Sequence, residues 1–225
     1  MGRLSIVGTP IGNLGDITLR ALEVLAHADV IACEDTRVTS KLLSRHNISR
    51  PLMVFHARSG RLQTEKILTL LGEGKHVALV TDAGTPGISD PGAELVSSVR
   101  ERLEDTITIE TIPGPSALTA ALSIAGVPVH EFVFLGFLPH KKGRETLFKE
   151  IGESTRTVVF YESPHRIMKT LESLRKAVQE GKVTILRELT KLHESYVSGT
   201  PEEVLEYFVT HKDEVRGEFV VIVSR

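Results

Sequence analysis

The sequence predicts an α/β protein of two domains. Short apolar runs rich in Val and Ile alternate with amphipathic stretches along the whole chain, the pattern of strands and helices laid down in turn. Several of these runs are apolar without alternation, as expected for strands covered on both faces. At 225 residues the chain exceeds the usual size of one domain. Near its middle "IPGPSAL" interrupts the pattern with Pro113, Gly114 and Pro115, and Pro115 suits the first turn of a following helix. The expected division is therefore 1–113 and 114–225.

Taken in order, the strands of the first half are "LSIVG", "DVIAC", "PLMVF", "HVALVTD" and "TITIETIP"; those of the second are "EFVFLGF", "TVVFYE", "KVTILRE" and "EFVVIV". In "GDITLRALEVLAHAD" Asp16 can cap a helix whose one face carries Leu19, Leu22, Leu25 and Ala26, with Arg20, Glu23 and His27 outside it. Similar periodicity predicts helices over Thr36 to His46, Leu62 to Leu71, Pro91 to Arg102, Ser116 to Ala125, Pro164 to Val178 and Pro201 to His211. No internal repeat or low-complexity segment interrupts them.

Composition narrows the function classes. Hydrophobic residues make up 41% and charged residues 25%, the balance of a soluble globular protein. No stretch approaches the ~20 apolar residues of a membrane span, and the start "MGRLSIVGTP" is too short in its apolar part for a signal peptide. The single cysteine, Cys33, excludes an intrachain disulfide, reads as core, and fits the cytoplasm. With a net charge of −2, any contact with nucleic acid has to come from a local basic patch.

Two glycine-rich loops follow strands. "IVGTPIGNLGD" carries Gly8, Gly12 and Gly15, and "VTDAGTPGISDPG" carries Gly84, Gly87 and Gly92. In open α/β sheets ligands gather outside the carboxyl ends of strands, where both loops belong. Neither matches the Gly-Lys-Ser/Thr phosphate loop or the full GxGxxG fingerprint. The second holds Asp82 and Asp90 with no basic residue, which suits ribose hydroxyls, an amino group or another cation better than phosphate. Asp90 also reads as the cap of the helix beginning near Pro91.

Other acids follow strands too: Glu34 and Asp35 after "VIAC", Glu162 after "VVFY", and Glu188 in "ILRELTK". Without HExxH, CxxC or an EF-hand pattern they do not suggest a metal, and GxSxG is missing. Arg37, Lys41 and Arg45 recur every four residues, a stripe that reads as a solvated helix face or an RNA contact. "PHKKGRE" places His140, Lys141, Lys142 and Arg144 in an expected surface loop able to meet a polyanion. "YESPHR" sets His165 and Arg166 at a helix start beside Glu162, as either a buried network or a substrate clamp.

Together "IVGTPIGNLGDIT", "ACEDTR", "LVTDAGTPGISDPG", "IPGPSAL", "FLGFLP", "FYESPHR", "RELTK" and "GEFVVIV" closely resemble the ribosomal RNA small subunit methyltransferase I family of the tetrapyrrole methylase superfamily. The match runs nearly end to end. It implies a two-domain class III methyltransferase, each domain a mixed sheet flanked by helices, with S-adenosylmethionine in the interdomain cleft and no metal. It further implies 2'-O-methylation of a cytidine ribose in the decoding region of small-subunit (16S) rRNA, on the assembled 30S subunit, by a cytoplasmic homodimer.

Carried onto this sequence, the resemblance assigns cofactor contacts to Asp82, Ala83, Gly84, Thr85, Pro86 and Gly87, to Ser116 and Ala117, to Tyr161, to Leu189 and Thr190, and to Gly217 and Glu218. Substrate contacts are expected from Pro10 and Asn13 in the first glycine loop, and from Arg37, Lys141, Lys142, Arg144, Arg166 and Lys191. Methyl transfer is an in-line displacement at carbon, so alignment is the main task. A positioned base adds about 10²- to 10⁴-fold by taking the hydroxyl proton, and Asp35, Glu34, Glu188 and His165 are the candidates. Three rival readings stay open: a tetrapyrrole methyltransferase, a diphthine-type methyltransferase, and a non-catalytic RNA-binding module of ribosome assembly.

Overall fold

The computed structural model describes residues 1–56, 60–90, 92–103 and 106–225. The chain divides into two units, Met1–Ser116 and Ala117–Arg225. The first contains β1 (Gly2–Val7), α1 (Leu19–His27), β2 (Val30–Cys33), α2 (Thr36–Arg45), β3 (Leu52–Val54), α3 (Gly60–Gly72), β4 (His76–Leu79), α4 (Ala93–Leu103) and β5 (Ile107–Ile112). Its sheet has the order β3-β2-β4-β1-β5, and every pair is parallel. The mixed sheet expected here is thus corrected to a parallel one. A helix returns the chain after each of β1 to β4, and such crossovers produce parallel neighbours.

Both faces of this sheet are covered. Ala21 and Leu25 of α1 and Leu42 and Leu43 of α2 pack with Val7, Ile31 and Ala78. On the other face Ile67 and Leu71 of α3 and Leu95 and Val99 of α4 pack with Leu4, Val77 and Leu79. This is why the strand runs do not alternate. The entry to α1 differs from expectation. Thr18, not Asp16, is the N-cap, accepting from the Ala21 amide. Asp16 instead closes a 3₁₀ turn over Leu14–Asp16. The buried stripe is accordingly Ala21, Leu25 and Ala28, and Leu19 is 86% exposed. The start expected for α4 at Pro91 lies outside the described residues.

The second unit contains α5 (Ala117–Ile124), β6 (Phe132–Phe137), α6 (Arg144–Glu153), β7 (Thr157–Glu162), α7 (Ile167–Ala177), β8 (Lys182–Arg187), β9 (Ser195–Gly199), α8 (Pro201–Thr210) and β10 (Phe219–Ser224). Its sheet, β6-β7-β10-β8-β9, is mixed: β6 and β7 run parallel, and the remaining pairs are antiparallel. Phe148 and Ile151 of α6, Leu171 and Leu174 of α7, and Phe208 of α8 pack on Phe160, Ile185 and Val221 of one face. On the opposite face Tyr196 of β9 donates its hydroxyl to the Ala125 carbonyl, just past α5.

Periodicity did not reveal α6 or β9. The N-cap of α6 is Gly143, φ +79°, which offers no side-chain cap, so the usual start signal is missing. Strand β9, "SYVSG", has little apolar character of its own and is held by pairing with β8 from Arg187↔Ser195 to Val183↔Gly199.

Candidate functional site

Parallel pairing puts the carboxyl ends of β1, β2, β4 and β5 on one edge of the first sheet, and the loops that follow them meet there. Gly8 and Gly114 bring two of these loops into backbone contact: a Cβ on Gly8 would lie 2.7 Å from the Gly114 nitrogen. The β1 and β4 loops are tied by a short bridge. The Thr9 amide donates to the Gly84 carbonyl at 2.9 Å, and the Gly84 amide donates back at 3.1 Å. The Thr9 hydroxyl donates to the Thr81 carbonyl at 3.1 Å. Gly84, at φ +84°, takes a left-handed conformation that a side chain would strain.

Four carboxylates gather at this edge. Asp82 Oδ1 accepts from the Asp35 amide at 3.1 Å, joining the β2 and β4 loops. Asp35 caps α2 through the Arg37 amide at 2.8 Å and pairs with the Arg37 guanidinium, Nε to Oδ1 3.0 Å. Hydrogen bonds from Arg37 hold the Asp35 carboxyl down at about 2. Glu34 behaves oppositely, raised by burial and by the charge of Asp82. Asp82 is raised by burial, and the nearby Asp35 charge adds to this. Asp90 is pushed up to about 6 by burial and by the charges of Glu34 and Asp82.

Asp90 therefore belongs to the acidic group. The helix start near Pro91 that its reading as a cap concerned lies outside the described residues. The loop sequence showed its charge but not that Glu34 would face it. Ala83 is exposed, Thr85 half-buried and Pro86 buried, and Gly87 has φ +86°. Pro10 is buried after β1, while the exposed Asn13 caps the 3₁₀ turn through the Gly15 amide at 3.0 Å. Ser116 ends this unit and Ala117 opens α5.

One end of the second sheet collects the other expected residues. Because β10 is antiparallel to β7 and β8, its first residue Phe219 sits between Glu162 and Arg187, and Val220 between Tyr161 and Leu186. Gly217 and Glu218 thus adjoin Leu189 and Thr190, which follow β8. The Glu188 amide donates to the Glu218 carbonyl at 2.9 Å, and Glu188 Oε1 accepts from the Glu218 amide at 3.0 Å. Lys191 Nζ bridges Glu188 Oε1 at 2.8 Å and Glu218 Oε2 at 2.9 Å. Burial would raise the Glu188 carboxyl, but hydrogen bonds from Lys191 and Glu218 outweigh it and hold it below the ordinary range.

Two of the expected RNA contacts, Arg144 and Arg166, pair with Glu162, whose side chain is 0% exposed. Arg166 Nε is 2.7 Å from Glu162 Oε1 as an ion pair, without hydrogen-bond alignment, and its Nη1 donates to the Leu138 carbonyl at 2.7 Å. Arg144 lies 3.6 Å from Oε2, donates to Thr170 Oγ1 at 2.7 Å and to the Pro139 carbonyl at 3.1 Å. Thr170 Oγ1 in turn donates to Glu162 Oε2 at 2.6 Å. A buried carboxylate needs such partners. His165 is exposed in the turn before α7, and Lys141, Lys142, Arg37, Lys41 and Arg45 are exposed as well.

Residues 3–205 match the family model described as Tetrapyrrole (Corrin/Porphyrin) Methylases. A protein of Thermotoga maritima named ribosomal RNA small subunit methyltransferase I is 45% identical over 100% of this chain and 99% of its own length. The chain belongs to the ribosomal RNA small subunit methyltransferase I family. Among solved structures, a diphthine synthase has a TM-score of 0.74 at 13% identity, covering 99% of this chain and 90% of its own. A uroporphyrin-III C-methyl transferase from Thermus thermophilus, complexed with S-adenyl homocysteine, has a TM-score of 0.66 at 20% identity, covering 100% and 98%. At such identities these two share the fold alone.

As a ribosomal RNA small subunit methyltransferase I family member, the chain is a methyltransferase that uses S-adenosylmethionine and acts on RNA. Its residues fit that cofactor on their own chemistry. Asp82 and Asp90 form a surplus of negative charge, each raised by burial, that a sulfonium or amino group would relieve, and the left-handed glycines leave backbone open to a ligand. Among the described residues no group of three or more His, Cys, Asp or Glu could hold a metal ion, and no helix is long and apolar enough to cross a membrane.

Proposed function

We propose that this chain methylates the ribose 2'-oxygen of a cytidine in the decoding region of small-subunit rRNA. It does so on the assembled 30S subunit, in the cytoplasm, as a homodimer. The observation that carries the reading is the 45% identity spanning the whole chain and nearly all of a relative named for this class of substrate. S-adenosylmethionine supplies an electrophilic methyl group when bound. The chain's part is to hold that donor, align the ribose oxygen and accept its proton.

Residues 82–87, Ser116, Ala117, Tyr161, Leu189, Thr190, Gly217 and Glu218 are assigned to the donor. Among the four candidate bases, Asp35 and Glu188 are held ionised in ion pairs with Arg37 and Lys191, which makes them weak proton acceptors. We assign them to positioning: Asp35 sets the start of α2 and Glu188 locks the β8 and β10 ends together. Glu34, with its carboxyl raised by burial and no lysine or arginine ion pair among the described residues, is the assigned proton acceptor. The deciding experiment incubates purified protein with small subunits, naked rRNA and labelled S-adenosylmethionine, then maps the product. Label in a cytidine ribose of the subunit is expected; label on a base, or none in either RNA, overturns the reading.

A further inference from the structure

Strand β6 contains an irregularity that changes which way its last side chain faces. Phe134 pairs with Val159 of β7, yet Phe137, three residues on, pairs with Tyr161, two residues on. One extra residue is therefore accommodated in β6, at Gly136 with φ +60°. Without it, strict alternation would put Phe137 on the face opposite Phe134. With it, Phe134, Phe137 and Tyr161 share one face. Tyr161 is edge-on to both rings, 5.0 Å from Phe134 and 5.5 Å from Phe137 between centroids. This is the face opposite the helix-covered core of Phe160 and Val221. Bulges commonly re-aim a side chain beside a functional site.

The result is a large aromatic ring, 57% exposed, at the sheet end that also holds Tyr161, Gly217 and Glu218. The chain leaves Phe137 directly into Leu138, Pro139, His140, Lys141 and Lys142. Among the described residues neither lysine has an ion-pair partner. The base of this loop is fixed: Arg166 and Arg144, anchored on buried Glu162, hold the Leu138 and Pro139 carbonyls. An exposed ring backed by an aromatic edge and flanked by two uncompensated cations on a fixed stem is the arrangement that binds unpaired nucleotides. The ring stacks on a base while the cations take phosphate. A second copy of this chain fits less well, because a self-complementary contact would bring the two cationic loops together.

We propose that Phe137 is a stacking platform for an unpaired base of the RNA substrate, with Lys141 and Lys142 on the adjoining phosphates. This rests on the RNA methyltransferase reading and adds where the RNA is gripped. The chain has no tryptophan, so Phe137→Trp installs a single fluorescent reporter on the platform itself. Its emission should be quenched by a short single-stranded oligocytidine. Phe137→Leu, which keeps apolar bulk but cannot stack, should raise the RNA Kd about ten-fold. Phe137→Trp should restore the affinity, and S-adenosylmethionine affinity should be unchanged in both variants.

Wild-type RNA affinity in Phe137→Leu, or Trp emission unmoved at saturating RNA, overturns the proposal. So does a change of oligomeric state in Phe137→Leu with RNA affinity intact, because the ring then belongs to a contact between copies. Failure of the functional reading is separable. If the native protein methylates no rRNA while oligocytidine still quenches the reporter, the platform stands without that reading. If it methylates small subunits and Phe137→Leu does so with unchanged KM, the platform alone falls.

Discussion

Asp90→Asn should make the protein more stable and bind its cofactor less well. The carboxyl has an ordinary value of 3.8 and is held at about 6. Ionising it at neutral pH therefore costs the folded state at most about 3 kcal/mol. The group is not fully enclosed, and solvent screening reduces the figure to about 1–2 kcal/mol. The sign follows from proton binding. Between about pH 4 and pH 6 the folded state holds the proton more tightly than the unfolded state, so stability falls as pH rises through that window. Above about pH 6 the destabilisation is complete, and below about pH 4 it is absent. Urea denaturation followed by circular dichroism should show Asp90→Asn more stable than the native chain by about 1–2 kcal/mol at pH 8, with the two converging by pH 4. The same carboxylate belongs to the acidic group that a cationic donor would relieve. Calorimetry should therefore find S-adenosylmethionine binding of the native chain weakening as pH falls below about 6, and binding of Asp90→Asn weaker throughout and flatter with pH. A variant no more stable at pH 8, or a gain that persists unchanged at pH 4, refutes the argument that like-charge crowding sets the state of Asp90.

Other expectations follow from the same geometry. Glu34→Gln should lower kcat on small subunits about 10²- to 10⁴-fold while leaving cofactor affinity intact; single-turnover methylation at the native rate would remove Glu34 from proton transfer. Gly8→Ala should destabilise the first unit more than Gly84→Ala. A Cβ at Gly8 meets the Gly114 backbone at 2.7 Å, whereas at Gly84 the nearest contact is Ile11 Cγ2 at 3.6 Å and only left-handed strain of about 1–2 kcal/mol is added. Paired thermal melts decide the order. Glu162→Ala leaves two half-buried guanidiniums without their buried carboxylate and should cost about 3 kcal/mol, read as a fall in the urea midpoint. At the other end of the first sheet, burial holds His76 below its ordinary value of 6.5. The unfolded chain then binds more protons, so this contribution to stability is lost as pH falls below about 6.5, and His76→Gln should flatten that limb of the stability profile.

The alternation of strands and helices was legible because both faces of the first sheet are buried, which writes β1, β2 and β4 as unbroken apolar runs. The direction of those strands was not legible, since periodicity reports burial and is blind to hydrogen-bond sense. Helix α6 escaped because its N-cap is a left-handed glycine with no side-chain signal. Strand β9 escaped because its place comes from partners on β8 rather than from its own pattern. Thr18 and Asp16 are both good caps by composition; which one served was decided by the 3₁₀ turn that Asn13 caps and Asp16 completes.

Charge was the least legible property of the site, because a side chain's sign is written in the sequence and its partner is not. Arg144 and Arg166 have the composition of a phosphate clamp, yet the carboxyl end of β7 places Glu162 where burial obliges both to neutralise it. Asp35 and Glu34 are adjacent and chemically alike, but only Asp35 is in reach of Arg37, so one carboxyl falls to about 2 while the other rises. Two neighbouring acids driven apart in this way can hold different roles at one pH. The cations left exposed after this pairing, Lys141 and Lys142, carry no structural debt within the second unit. The half-buried arginines fix the stem from which they project, so the pairing at Glu162 holds the remaining charge in place where, on our proposal, RNA meets it.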